Sequence, residues 1–140
     1  MQNGEDKTHF GLFMDFAEPT LVFSGTGVAL KHFAKLLRDV GRSTGKKLLH
    51  ELAQFRSVRN TKINLTIEQV AGGMRKAHPS LGDNELNWRI TPDMAKEFAS
   101  LVEVAAESKS PCHHYLDSNS LDQVQVIVSK GEYDDLFAGD

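Results

Sequence analysis

The sequence predicts an α+β fold, a two-layer sandwich in which a mainly antiparallel sheet carries two helices on one face. Three observations lead there. Residues 28–40 and 92–107 each repeat apolar residues at steps of three and four, directly after a threonine. Several shorter runs are rich in aromatic and β-branched residues and are bounded by Gly, Pro, Asn or Asp. The segment from Leu21 to Leu36 also matches the segment from Leu86 to Leu101 at a constant offset of 65 residues.

In chain order, residues 1–9 are polar and read as a disordered lead-in. Phe10–Phe16 and Thr20–Ser24 are strand-like, and Ala17-Glu18-Pro19 between them makes a hairpin the expectation. Thr26 then caps a helix over Val28–Val40, with Leu30, Phe33, Leu36, Leu37 and Val40 on one face and Gly41 as its stop. Residues 46–58 are ambiguous. Leu48, Leu49, Leu52 and Phe55 fit a helical period, whereas the match of His50 and Leu52 to His114 and Leu116 argues for a strand. Thr61–Val70 alternates Ile63, Leu65 and Ile67 and reads as a strand. Residues 72–84 read as a long loop.

Leu86–Ile90 is a short strand. Thr91-Pro92-Asp93 is a helix start, with a capping hydroxyl, a proline at the first helical position and an acid near the positive end of the dipole. That helix runs to about Glu107, with Met94, Phe98, Leu101, Val102 and Ala105 facing the core. Pro111–Asp117 and Asp122–Lys130 follow as strands. The second has Val124, Val126 and Val128 on one face and Ile127 on the other, which predicts a central place in the sheet, or an edge used for dimerisation. The last residues, 135–140, read as an acidic tail.

The offset of 65 pairs Leu21 with Leu86, Phe23 with Trp88, Thr26 with Thr91, Lys31 with Lys96, Phe33 with Phe98 and Leu36 with Leu101. Both stretches run strand, cap, amphipathic helix. An internal duplication is therefore the expectation, with halves at 10–70 and 85–134 inside one α+β domain at 10–134.

A chain of 140 residues is of single-domain size and long enough to bury a core without staples. Its lone cysteine, Cys112, excludes an internal disulfide framework. No window approaches the apolar length of a membrane span, and the N-terminus lacks the basic and apolar parts of a signal peptide, so the cytoplasm is the expected location and no membrane partner is expected.

The net charge of −3 is unevenly spread. Residues 31–62 are basic, and Lys31, Lys35, Arg38 and Arg42 recur at helical spacing, followed by Lys46 and Lys47. Residues 117–140 are acidic through Asp117, Asp122, Glu132, Asp134 and Asp135. Each block can steer a partner of opposite charge. The bland alternative is a pair of solvated faces that partly cancel.

Chemistry-bearing patterns are sparse. Cys112 and His114 share one side of a strand, which would suit a thiolate–imidazole pair or half a zinc site, but no second Cys/His pair accompanies them. The simpler reading is a buried thiol with satisfied histidines. Gly25-Thr26-Gly27 lacks the spacing of a phosphate loop and reads as a tight turn into the helix. Ser129-Lys130 points to opposite faces of a strand, and Trp88 reads as core. The expectation is no enzyme, no metal and no cofactor.

In general character the chain is similar to small bacterial immunity proteins, being one compact, mildly acidic domain without a catalytic motif. The likeness is one of type, carried by composition rather than by a motif. It implies a non-catalytic domain that binds a protein partner and neutralises a toxin, with Asp117, Asp122, Glu132, Asp134 and Asp135 facing a basic surface. Two alternatives stand beside it. One is a nucleic-acid-associated protein using the basic 31–62 segment, chiefly Lys31, Lys35, Arg38, Arg42, Lys46 and Lys47. The other is a small enzyme centred on Cys112 and His114. The chain is expected to be a monomer or a homodimer.

Overall fold

A computed structural model describes residues 6–14, 16–43, 45–78 and 84–137 of the chain. Within them the elements run β1 (Thr8–Phe13), β2 (Thr20–Ser24), α1 (Gly27–Gly41), β3 (Gly45–Leu48), β4 (Phe55–Ser57), β5 (Lys62–Ile67), β6 (Gly73–Lys76), β7 (Glu85–Ile90), α2 (Pro92–Glu107), β8 (Cys112–Tyr115) and β9 (Gln125–Lys130). Short 3₁₀ turns occupy Leu49–Glu51, Asn119–Leu121 and Asp134–Phe137. The α+β class holds, and both helices bury their apolar faces in a core shared with the strands.

The strands form two sheets, not one: a five-stranded sheet in the order β4-β1-β2-β9-β8, and a four-stranded sheet in the order β3-β5-β7-β6. Four pairs are antiparallel, namely β1–β2, β3–β5, β6–β7 and β8–β9. Three are parallel, namely β1–β4, β2–β9 and β5–β7. The antiparallel expectation therefore describes four of the seven strand pairs, and β1–β4, β2–β9 and β5–β7 depart from it. Alternation and turn residues specify a hairpin locally, whereas a parallel join between distant segments leaves no mark in either one.

With β4 set aside, the pairing scheme of the two sheets is the same. The β1–β2 hairpin lies beside β9 and β8, and the β6–β7 hairpin lies beside β5 and β3. Residues 65 positions apart meet near the middle of this arrangement. Phe23 stacks on Trp88 with ring centroids 5.7 Å apart, and Arg38 pairs with Glu103. Trp88 in turn stacks on Phe98, and Phe33 packs tilted against Phe23, so a run of aromatic rings ties β2 and β7 to both helices. Such ring pairs add about 0.5–1.5 kcal/mol each beyond burial.

Both helices begin as their sequences predict. The Thr26 hydroxyl accepts the Ala29 N–H at 3.2 Å, and the Thr91 hydroxyl accepts the Met94 N–H at 3.1 Å. The helices pack on each other antiparallel: Gly27 at the start of α1 lies against the Ala106 carbonyl, and Gly41 at its end lies against Ala95. A Cβ at Gly27 would come within 2.8 Å of that carbonyl oxygen. This close approach shifts the buried face of α2. Ala95, Phe98, Ala99, Val102 and Ala105 are buried, while Met94 and Leu101, like Leu36 of α1, pack only at the core's margin.

Residues 46–58 bear out the strand reading in part, as two short strands joined by a 3₁₀ turn, and other expectations need correction. Leu49 and Phe55 reach the core from that irregular path, which is why their spacing mimics a helix. The 72–84 segment contains β6, anchored by buried Met74 and by Asp122 Oδ1, which accepts the Met74 N–H at 2.9 Å. The structured part begins before Phe10, since Thr8 is already buried in β1; residues 1–5 lie outside the described residues. Nor do residues 134–137 trail away. Phe137, 9% exposed, packs edge-on to Phe13 at 5.5 Å and closes a second apolar cluster with Val22 and Val58. Residues 138–140 lie outside the described residues. Strand β9 is central, between β2 and β8, with Val126, Ile127 and Val128 all buried.

Candidate functional site

The acidic residues do not form one patch. Asp117 and Asp122 precede β9, while Glu132, Asp134 and Asp135 follow it, so a strand of roughly 20 Å separates the two groups. At the first end the chain makes a cleft of about 290 Å³ lined by Glu18, Tyr115, Asp117, Asn119, Asp122 and Gln125. Glu18 comes from the β1–β2 turn, Tyr115 from β8, Gln125 from the start of β9, and the rest from the connection between β8 and β9.

The residues around this cleft differ in what they are free to do. Asp122 is half-buried and already engaged: Oδ1 accepts the Met74 N–H at 2.9 Å and Oδ2 accepts the Ser118 N–H at 2.7 Å. Burial pushes its carboxyl above the usual range, the nearby charge of Asp117 adds to this, and the two N–H donors oppose it. Asp122 thus ties β6 to the β8–β9 connection. Asp117 is exposed and uses Oδ1 to accept the Asn119 N–H at 2.7 Å, which shapes the turn. Tyr115 is 49% exposed, so its ring forms an apolar wall beside carboxylates.

The far group is dispersed among local contacts. Glu132 bonds to His113 Nδ1, the Ser24 hydroxyl donates to Asp134 Oδ1 at 3.5 Å, and Asp135 is exposed. A second cleft of about 460 Å³ lies there, beside Gly25, Thr26 and Gly27 at the start of α1. Lys130 at its wall donates to the carbonyls of Ala106 and Ser108, so its ammonium caps the C-terminus of α2.

The basic stripe is broken up by partners. Lys35 pairs with Asp39 at 2.9 Å, Arg42 with Asp39 at 3.5 Å, and Arg38 with Glu103 through two nitrogens at 2.5 and 3.2 Å. Arg38 holds the Glu103 carboxyl below the usual range, and Lys35 does the same to Asp39. Lys31, Lys46 and Lys47 are exposed and, among the described residues, carry no ion pair. Lys46 and Lys47 lie on β3, at an edge of the four-stranded sheet.

Cys112 and His114 share the core side of β8, but Cys112 packs against the core, with Sγ 3.9 Å from the Ala105 carbonyl oxygen. The other histidines are used elsewhere: His50 Nδ1 accepts the Ile63 N–H, and His78 meets Glu85. Among the described residues no group of three or more His, Cys, Asp or Glu side chains is placed to hold a metal ion.

Sequence reasoning missed Glu18 and Tyr115. Each is an isolated residue in a turn or short strand, and only the fold brings them beside Asp117. No helix is long and apolar enough to cross a membrane. No protein-family model, curated protein or solved structure matches the chain.

Proposed function

We propose that the chain is a non-catalytic binding domain for a basic protein partner, with toxin neutralisation as the leading class and the cytoplasm as its setting. The observation that carries this reading is the cleft lined by Glu18, Asp117 and Asp122 together with half-exposed Tyr115. An exposed tyrosine beside carboxylates suits a lysine- or arginine-rich surface. The ring provides rigid contact area, and the acids steer encounter and fix orientation. Glu18 and Asp117 would meet the partner, while Asp122 holds the turn that presents them. Glu132, Asp134 and Asp135 lie at the other end of β9 and would contribute only long-range attraction. An internal duplication belongs to this reading, supported by the shared pairing scheme of the two sheets and by the contacts between residues 65 apart.

The test is capture of a partner from the native host by the intact chain and by a Glu18→Lys/Asp117→Lys variant. The expected result is a basic protein bound by the first and lost by the second, with association slowing as salt rises. Equal capture by both chains would contradict the assignment of the cleft.

A second reading is favoured by Lys46 and Lys47, which carry no ion pair among the described residues and leave the β3 edge open to a phosphate backbone. It predicts nucleic-acid binding that falls steeply with salt and weakens in a Lys46→Glu/Lys47→Glu variant. Purified chain that retains no DNA or RNA at low salt would remove it.

A further inference from the structure

Each sheet ends in two outer strands. Three of the four carry cations: Arg56 on β4, Lys46 and Lys47 on β3, and Arg75 and Lys76 on β6. Charged edges of this kind resist pairing with another chain. The fourth, β8, reads Cys112-His113-His114-Tyr115 and carries no Lys or Arg, with His113 held by Glu132. We propose that this edge pairs with β8 of a second copy of the chain, joining two five-stranded sheets across a two-fold axis. Tyr115 and Asp117 also line the cleft, so a second copy at this edge would compete with a basic partner there, and the pairing is tested on the chain alone.

The geometry narrows the register. Leu116 N–H bonds to the Val126 carbonyl at 3.0 Å, so alternate residues His114 and Cys112 also direct their backbone groups toward β9. His113 and Tyr115 therefore present their N–H and C=O to the open edge, and among the described residues nothing bonds to them there. An antiparallel partner must oppose one outward residue to another. Centring the axis on His114 does this: His113 faces Tyr115 of the second copy and Tyr115 faces its His113, making four backbone hydrogen bonds. Centring it on His113 would oppose Pro111 to Tyr115 and lose a donor, since proline has none.

The side chains suit the same register. On the outer face His113 and Tyr115 already touch within one chain, with ring centroids 5.5 Å apart. Pairing extends them into an aromatic ladder of four rings, the kind of cross-strand contact that stabilises sheets. Exposed Lys109 precedes β8 and exposed Asp117 follows it, so an antiparallel copy brings opposite charges toward each other at both ends of the seam.

The test uses the purified chain alone, by sedimentation equilibrium with amide hydrogen exchange. The expected result is a mass that rises with concentration toward twice the 15.5 kDa chain, with the His113 and Tyr115 amides becoming protected in parallel. Tyr115→Pro removes an outward N–H without touching the β9 ladder, and His114→Lys sets two ammonium groups face to face on the axis. Each should raise the dissociation constant roughly tenfold or more. If the proline variant misfolds, the lysine variant still decides. A wild-type mass that stays at one chain at the highest workable concentration overturns the proposal, and so does a dimer that survives in folded His114→Lys.

Discussion

Asp122 shows how a single carboxylate changes meaning between sequence and structure. In the sequence it is one of five acids available to a basic partner. In the fold both oxygens are spent on the N–H groups of Met74 and Ser118, so its first duty is structural. Asp122→Asn would aim an amide donor at one of those N–H groups and is expected to destabilise the chain by about 1–3 kcal/mol in urea unfolding. Wild-type stability in the Asp122→Asn chain would contradict this role. The Arg38–Glu103 pair makes a separate prediction. Arg38 lowers the Glu103 carboxyl below its unfolded value, so the pair's contribution is present above the usual glutamate range and is lost as pH falls through the folded value. Glu103→Gln should flatten the stability profile below about pH 4. The pair is half-exposed, so screening keeps the effect small. An unchanged acid limb in that variant would rule the pair out as a source. Asp122, shifted upward, acts in the opposite direction, losing stabilisation as pH rises through its folded value.

At the scale of elements, legibility tracked how local each signal is. Both helices, their threonine caps and the first hairpin could be read because period, cap and turn residues lie within a few positions of one another. Strand β6 escaped because Gly73-Met74-Arg75-Lys76 has one apolar residue and is a strand only through its pairing with β7. The C-terminal turn escaped because aspartates dominate its composition while Phe137 does the packing. Phe137→Ala should therefore lower stability by about 3 kcal/mol in a denaturant titration, whereas a tail outside the core would lose nothing measurable. The contact between helices makes another testable element. Gly27→Val must push α1 away from the Ala106 carbonyl, and a loss of about 1–3 kcal/mol is expected from thermal unfolding. A neutral result would mean that the helices are less closely packed at that end.

For the whole molecule, what the sequence could not reveal is the parallel pairing of distant strands. The offset of 65 was visible, yet nothing local announces that β2 pairs with β9 or β5 with β7. The first of these pairings makes β9 central, so a charge at Val126 falls inside the core, and Val126→Asp should abolish the folded circular-dichroism signal. It also builds the acidic cleft, bringing Glu18 of the β1–β2 turn to the same site as Tyr115 and Asp117. The cleft as the working surface is the central claim, and a hydrogen-exchange footprint of the chain bound to its captured partner tests it most directly. Added protection should fall on residues 16–19 and 115–122, with helix α1 and strand β3 unchanged. Protection confined to residues 31–47 would contradict the account.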